Sequence, residues 1–248
     1  MLRSLDVTSL FAADRGGPID RAVRAARTWI RGAARGTTGS SRPVESSPIG
    51  GARSRRAFSA AIAALVAAGL LACGSGAYVY AKAVAGQALL HVAWLRGAQG
   101  AAPAKPWPWA DTHPIARLRV PALDVDEFVL AGASGRTLAW GPGHLDDSAP
   151  PGAAGNTVLS AHRDTHFRFL QRVVPGDAIA LELPGGGVRH YRVREVRVAD
   201  VRTLRIPRDT AVPTLTLVTC WPFDALAPGG PLRYVVVAEA AGGPRPSM

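Results

Sequence analysis

Three side chains that can take part in acyl transfer lie at the ends of apolar runs in this sequence. Cys220 and His162 each end a run that predicts a β-strand, and Arg233 stands near the start of the last such run. The thiolate is the nucleophilic form of cysteine. A neighbouring imidazole can favour that thiolate or protonate a leaving amine, and a guanidinium can hold a carbonyl or stabilise an oxyanion. Together these are the groups that a cysteine-dependent acyl transfer requires.

The residues after Cys220 predict where its thiol lies. Trp221 and Pro222 follow directly, and proline cannot continue the hydrogen-bond ladder of a strand. The pattern therefore predicts a thiol at the rim of a sheet. The alternative interpretation, a small buried hydrophobic residue, stays open on position alone. The chain has only two cysteines, Cys73 and Cys220, so it can form neither a disulfide framework nor a four-cysteine zinc site.

The elements that must position these residues begin near Pro114. Short runs rich in Val, Leu, Ile and Tyr alternate from there with Gly, Pro and Asp. Such runs predict the strands of an all-β sandwich or barrel. They read IARLRV, EFVLAG, NTVLSAH, DAIALEL, VRHYRVREVRVAD, LTLVTC and LRYVVVAE. Thr165 to Val173 is the clearest candidate for a helix in this part of the chain.

An uncharged segment of 25 residues, Ala57 to Ala81, precedes this region. A helix of that length, at about 1.5 Å per residue, can cross a hydrocarbon core of about 30 Å. A buried core helix and a secretory signal are the alternatives. Arg53, Arg55 and Arg56 stand just before the segment, so the positive-inside rule predicts a cytoplasmic N-terminus and an extracytoplasmic domain after residue 82.

The charge of the chain is unevenly distributed. The formal net charge is +11, and residues 1–56 contain eleven arginines against four acidic residues. We expect residues 1–56 to be a basic cytoplasmic tail, disordered or partly amphipathic. Residues 82–110 predict a helical stalk and a stiff Pro/Trp linker, residues 111–241 the catalytic barrel, and residues 242–248 a C-terminal tail.

Longer motifs around these residues resemble the sortase family. Thr216–Cys220 resembles the TLxTC signature of sortases, which have a histidine far upstream and an arginine on the next strand. Pro114–Leu123 resembles the start of the sortase barrel. The resemblance covers about residues 105–240, with Trp221 where Tyr is commoner and Ala161 where Gly is commoner. Similarities to the Gram-negative, proteobacterial group of sortases lie at Lys105–Asp111, Ser160–Phe167, Cys220–Asp224 and Pro228–Arg233.

The resemblance implies a closed eight-stranded β-barrel with short helices, preceded by one N-terminal transmembrane helix. It implies Cys220 as the nucleophile, His162 as the general acid and base, and Arg233 as the stabiliser of substrate or oxyanion. Cys220 would attack a carbonyl within an LPxTG-like sorting signal, and an amine would resolve the thioester. The expected substrate-binding residues are their neighbours in these motifs, Ala161, Thr219, Trp221, Asp164 and His166.

The implied partners are a secreted protein with a C-terminal LPxTG-like signal, an amine-bearing acceptor and the bacterial inner membrane, with the catalytic domain in the periplasm. No cofactor or metal is expected, because only His162 and His166 cluster among the six histidines. Nucleic acid is not expected, because the arginines from 189 to 197 alternate as on a solvated strand face. A thiol hydrolase and a non-catalytic, membrane-tethered peptide-binding barrel remain as alternatives.

Overall fold

The computed structural model describes residues 4–5, 53–100, 103–225, 227 and 229–242. Most of the expected basic tail, residues 6–52, lies outside the described residues. The strands are β1 (Ser4–Leu5), β2 (Pro114–Val120), β3 (Val125–Leu130), β4 (Gly143–His144), β5 (Asn156–Ser160), β6 (Ala178–Glu182), β7 (Val188–Asp200), β8 (Ile206–Pro207), β9 (Thr214–Cys220) and β10 (Leu232–Ala240). The helices are α1 (Arg53–Ala98), α2 (Gly135–Leu138) and two 3₁₀ helices, Pro121–Leu123 and Arg168–Arg172.

Eight of the strands close into a barrel in the order β10-β7-β6-β2-β3-β4-β5-β9. Neighbouring strands are antiparallel except for the pairs β3–β4 and β5–β9, which are parallel. This architecture confirms the closed eight-stranded barrel that the resemblance implied. Seven of the barrel strands coincide with the apolar runs of the sequence. The eighth, β4, has only 2 residues, too few to produce a periodic pattern.

Strands β5 and β9 are buried along their whole length, apart from the half-buried Cys220 at the end of β9. Successive side chains of a strand point to opposite faces of the sheet. Here both faces are covered. Leu159 and Leu217 belong to the main core cluster, whereas Val158 and Val218 belong to a second cluster. Burial on both faces explains why neither strand contains a charged residue.

Strand β7 is exposed on one face over much of its length. Tyr191 and Val193 point into the core, while the arginines between them and beyond are accessible. Arg194 forms an ion pair with Glu239 at 2.8 Å, and Arg197 forms one with Glu195 at 3.1 Å. These arginines therefore have acidic neighbours on a solvated face.

Helix α1 joins the apolar segment and the expected stalk in one continuous element. Arg55–Ala98 is the one described helix that is long and apolar enough to cross a membrane, with a mean hydropathy of 2.1 over an 18-residue window within it. Towards the C-terminal end of α1, Leu90 and Trp94 are buried, and the Trp94 ring lies 6.1 Å from that of Phe128 on β3. This end of the helix therefore packs on the catalytic domain.

The segment after β5 forms a 3₁₀ helix, Arg168–Arg172, within the region that was the helical candidate. Its hydrogen bonds join residues three apart, from the Leu170 N–H to the Phe167 carbonyl and from the Val173 N–H to the Leu170 carbonyl. Pro175 disfavours the α conformation for the residue before it, so the helix cannot extend. The buried Phe167 and Leu170 fix this segment to the barrel.

Candidate active site

Strand pairing brings the three candidate catalytic residues to one end of the barrel. Cys220 lies directly opposite Arg233 in the antiparallel register of β9 and β10. Strands β5 and β9 are parallel, with Ser160 opposite Val218. Because parallel chains advance together, His162 and Cys220, each two residues further on, leave the sheet at the same level.

Two hydrogen bonds join the chains just before they leave the sheet. The Thr219 hydroxyl donates to the Ala161 carbonyl at 2.7 Å, and the Ala161 N–H donates to the Val218 carbonyl at 3.4 Å. Thr219 and Ala161 are completely buried. These two expected substrate-binding residues therefore connect the strands that carry the thiol and the imidazole, and their side chains do not face solvent.

The Cys220 thiol is half-buried, and its ionisation responds to opposing effects. Burial is the largest of them and raises the pKa of the thiol above its ordinary value. The positive charges of Arg233 and Arg163 lower the pKa, while the negative charge of Asp164 raises it. The net direction is upward, so the neutral thiol is the dominant form near neutral pH.

Arg233 is almost completely buried, with 3% of its surface exposed. Its Nη1 donates to the carbonyl oxygens of Gly230 at 2.8 Å and Leu232 at 2.9 Å. Gly230 lies at the end of the loop that follows Cys220, and Leu232 is the first residue of β10. The guanidinium is therefore fixed beside the thiol by the backbone that connects the two strands.

The His162 side chain is exposed and makes no hydrogen bond among the described residues, whereas its backbone carbonyl accepts from the Phe167 N–H at 3.1 Å. Its neighbour Asp164 is also exposed and lies close enough to Cys220 for its charge to act on the thiol. An exposed imidazole at the level of Cys220 can exchange protons with substrate or solvent. The imidazole position is therefore accessible to an incoming peptide.

The expected substrate-binding residue His166 makes its side-chain contact with Glu127. Its Nδ1 is 2.9 Å from Glu127 Oε2 on β3, and both side chains are partly buried. This contact joins the segment after β5 to strand β3. Among the described residues, no group of three or more His, Cys, Asp or Glu side chains is arranged to hold a metal ion.

An open groove of about 990 Å³ borders the thiol position. Trp221, the next residue after Cys220, stacks on Tyr234 with ring centroids 5.5 Å apart, and Phe223 meets both rings edge-on. Asp164 also lines this groove. The complete lining is Asp164, Arg168, Gln171, Trp221, Pro222, Phe223, Asp224, Ala225 and Tyr234. The groove can accommodate an extended peptide segment next to Cys220.

A second groove, of about 350 Å³, is bounded by β8, β9 and β10. Its lining includes Asn156, Thr214 and Glu239, which lie at or near the opposite ends of their strands from the thiol, the imidazole and the Arg233 guanidinium. Because the thiol, the imidazole and the guanidinium lie at the other end of these strands, the groove beside Trp221 is the better candidate for a substrate site.

Arg163 was not identified as a candidate from the sequence. It is buried, with 8% of its surface exposed, and its Nη2 donates to the carbonyls of Ala225 at 2.9 Å and Ala227 at 2.8 Å. From the sequence alone, a charged side chain next to a histidine is expected to be exposed to solvent. The sequence signal that could have identified Arg163 is its place in the Ser160–Phe167 motif. That motif resembles sortases, but the resemblance assigned no role to this arginine.

These features define a β-barrel with a cysteine, a histidine and an arginine at one rim. A family model described as the sortase domain matches residues 118–241, half of the chain. The protein therefore belongs to the sortase family.

The chain is also similar to individual sortases. Sortase D of Bacillus subtilis (strain 168) is 32% identical over 122 residues, which are 49% of this chain and 61% of that protein. Sortase A from Corynebacterium diphtheriae is 25% identical, with a TM-score of 0.49 over 56% of this chain and 66% of that one. A Clostridium perfringens Sortase D5 transpeptidase is 25% identical, with a TM-score of 0.44 over 52% of this chain and 80% of that one.

Proposed function

We propose that this protein is a membrane-anchored cysteine transpeptidase that cleaves an LPxTG-like sorting signal and transfers the acyl group to an amine. The observation that carries the proposal is the strand register: Cys220 lies opposite Arg233, and the parallel pairing of β5 with β9 brings His162 to the same level. Family membership supports it, because sortases are cysteine transpeptidases.

In the first half of the reaction, the Cys220 thiolate attacks a backbone carbonyl carbon of the sorting signal. Arg233 stabilises the negative charge that develops on the carbonyl oxygen. The C–N bond then breaks, and protonated His162 gives its proton to the departing amine. The N-terminal part of the substrate remains bound to Cys220 as a thioester.

In the second half, the acceptor amine attacks the thioester carbonyl. His162, now neutral, accepts the proton that the amine loses as the new C–N bond forms. The C–S bond breaks and the thiolate–imidazolium pair is restored. The same histidine thus acts as acid in one half of the reaction and as base in the other.

The reacting form of this pair is a minority species. A free thiol titrates about two pH units above a free imidazole, which places the ion pair about 2.7 kcal/mol uphill before any mutual attraction. Burial raises the pKa of Cys220 further, and the nearby arginines offset this only in part. We therefore expect slow turnover at neutral pH.

The test of the proposed function uses the full chain in detergent, an LPxTG-like peptide and a primary amine, with the products identified by mass spectrometry. A peptide–amine conjugate supports transpeptidation. Release of the free acid alone, in the presence of amine, would make the protein a thiol hydrolase. Recovery of intact peptide without any Cys220 adduct would overturn both enzymatic assignments.

The location of the protein is a second part of the proposal. We infer a single-pass anchor in the bacterial inner membrane, with a cytoplasmic N-terminus and a periplasmic barrel, as the charge before Ala57 suggests. In this orientation Ser4–Leu5 and Ile206–Pro207, which pair as β1 and β8, would lie on opposite sides of the membrane, so the pairing and the orientation are mutually exclusive within one chain. A reporter fused after Met248 that is active in the cytoplasm would overturn the orientation.

The subgroup is also proposed rather than established by the relatives. The motifs Ser160–Phe167 and Cys220–Asp224 suggest a proteobacterial sortase, whereas the curated relative comes from Bacillus subtilis. A sorting signal at the end of a secreted protein encoded beside this one, in a Gram-negative genome, would support the subgroup. The same arrangement in a Gram-positive genome would contradict it.

A further inference from the structure

The buried Arg163 has no part in the reaction proposed above. Only 8% of its surface is exposed, and no carboxylate among the described residues lies within ion-pair distance of its guanidinium. In addition, its Nη1 is buried without a hydrogen-bond partner in the described part of the chain. Burying a charge without a counter-charge opposes folding. The position of this residue therefore calls for an explanation other than stability.

The contacts of Arg163 join the two segments that carry the reacting groups. Arg163 follows His162 directly, and its Nη2 donates to the carbonyls of Ala225 and Ala227. These carbonyls lie in the middle of residues 221–231, which we call the β9–β10 loop. The loop begins immediately after Cys220. One guanidinium thus connects the imidazole segment to the thiol segment.

Arg233 holds the same loop from its other end. Its Nη1 donates to the carbonyls of Gly230 and Leu232, whereas Arg163 holds Ala225 and Ala227. Both positive charges act on the Cys220 thiol in the same direction. A guanidinium is planar, permanently charged and rich in donors, so it can hold two carbonyls while keeping its charge in place.

We propose that Arg163 is a positioning residue for acyl transfer, which holds the β9–β10 loop against the His162 segment and keeps a permanent positive charge beside Cys220. Without this contact, the middle of the loop loses its connection to the His162 segment. The thiol and the imidazole would then lose their fixed relative position, and the thiolate would lose one of its two neighbouring cations. The effect on turnover rests on the proposed transpeptidase function, whereas the effect on the thiol does not.

The experiment measures Cys220 in two independent ways, in full-length protein that carries Cys73→Ala so that Cys220 is the single thiol. The first is the rate of alkylation by iodoacetamide as a function of pH, which reports ionisation without any sortase substrate. The second is kcat and KM for the peptide and amine reaction. Arg163→Met removes the charge and both hydrogen bonds, and Arg163→Lys keeps the charge. Arg172→Met, which removes an exposed arginine from the same segment, is the matched control.

We expect Arg163→Met to shift the alkylation midpoint to higher pH, because a thiolate without a neighbouring cation is less stable. It should also lower kcat by about 10- to 100-fold, with a smaller change in KM, since positioning acts on the reacting geometry. Arg163→Lys should keep the midpoint near that of the parent but remain reduced in kcat. Arg172→Met should change neither quantity.

A parental midpoint and a parental kcat in Arg163→Met would overturn the proposal. If Arg163→Met does not fold, as judged by its thermal unfolding, Arg163→Lys decides: full kcat in that variant refutes the positioning role. If the alkylation shift is found but no variant, nor the parent, forms a peptide–amine conjugate, the proposed function fails while the electrostatic role of Arg163 is supported.

Discussion

Strands β5 and β9 are neighbours in the barrel, but the residues at their C-terminal ends lie in different environments. Both strands are buried on both faces and run parallel in fixed register. At the end of β9, Cys220 is half-buried near the charges of Arg233 and Arg163, whereas the His162 side chain, just after β5, is exposed and makes no hydrogen bond in the described chain. One scaffold thus presents a shielded thiol and an accessible imidazole.

The difference arises from what each chain does after its strand. The chain after β9 returns into the sheet as β10, so Cys220 remains in a ladder, opposite Arg233. The chain after β5 leaves the sheet and continues into the 3₁₀ helix Arg168–Arg172. The protein therefore controls the ionisation of the thiol, whereas solvent and substrate control the environment of the imidazole.

Cys220→Ala tests the shielded thiol most severely. This variant should form no thioester and no covalent adduct with a thiol-reactive substrate mimic, because the attacking atom is missing. Intact-mass measurement after incubation provides the readout. Cys73→Ala, which removes the other cysteine, should keep both the adduct and the turnover. An adduct that persists in Cys220→Ala would place the nucleophile elsewhere.

His162→Ala separates the two environments. Turnover should fall by about 10²- to 10⁴-fold, the usual contribution of a general acid and base. The alkylation midpoint of Cys220 should move less than in Arg163→Met, because burial and the arginines are the main influences on the thiol. Kinetics and alkylation are measured on the same preparation. A midpoint that moves as far as in Arg163→Met would show that His162 also controls the ionisation of Cys220.

Arg233→Lys keeps the positive charge next to Cys220 but replaces the planar donor group. We expect turnover to fall by about 10²-fold, comparable to the loss of one oxyanion donor. The steady-state rate with peptide and amine is the measurement. Arg194→Lys, a change on the exposed face of β7, is the matched control. Near-normal turnover in Arg233→Lys would exclude Arg233 from the reaction.

The pH dependence of turnover should follow a bell whose two limbs belong to the coupled pair. On the acidic side the thiolate is scarce. On the alkaline side the imidazolium needed by the leaving amine is lost. Because burial raises the pKa of Cys220, the alkaline limb should lie above the ordinary range of a thiol. A flat profile of kcat/KM would refute the proposed exchange of protons.

Asp164→Asn should give the smallest effect and act in the opposite direction to Arg163→Met. The carboxylate raises the pKa of the thiol, so its removal should lower the alkylation midpoint, by less than one pH unit for an exposed group. Asp209→Asn, an exposed carboxylate away from the thiol, is the control. A shift to higher pH would contradict this influence of the Asp164 carboxylate on the thiol.

The sequence was most informative where burial imposes a pattern. The long apolar runs identified seven barrel strands, and the motifs around Cys220 indicated the closed barrel and its family. Strand β4 and the contact between His166 and Glu127 were not predictable in this way. The two side chains are 39 residues apart and meet only because β2 to β5 close the wall in a particular register.

Arg163 shows a second limit. Residue type suggested a solvated side chain, whereas the structure buries it. The reason is local: carbonyl groups of the β9–β10 loop satisfy part of its guanidinium, and no sequence period records an acceptor that lies 62 positions away. Buried charges held by loop backbone are therefore beyond pattern analysis, even within a matched motif.

The packing of helix α1 on the barrel determines how the catalytic domain can be isolated. Leu90 and Ala93 are buried, and the rings of His91 and Trp94 lie against Phe128. A fragment that begins at the Pro/Trp linker would expose this aromatic surface to water and would be prone to aggregate. A fragment that keeps this contact should therefore start at Lys82, so that it retains the part of the helix that covers the barrel wall and omits the uncharged segment before it.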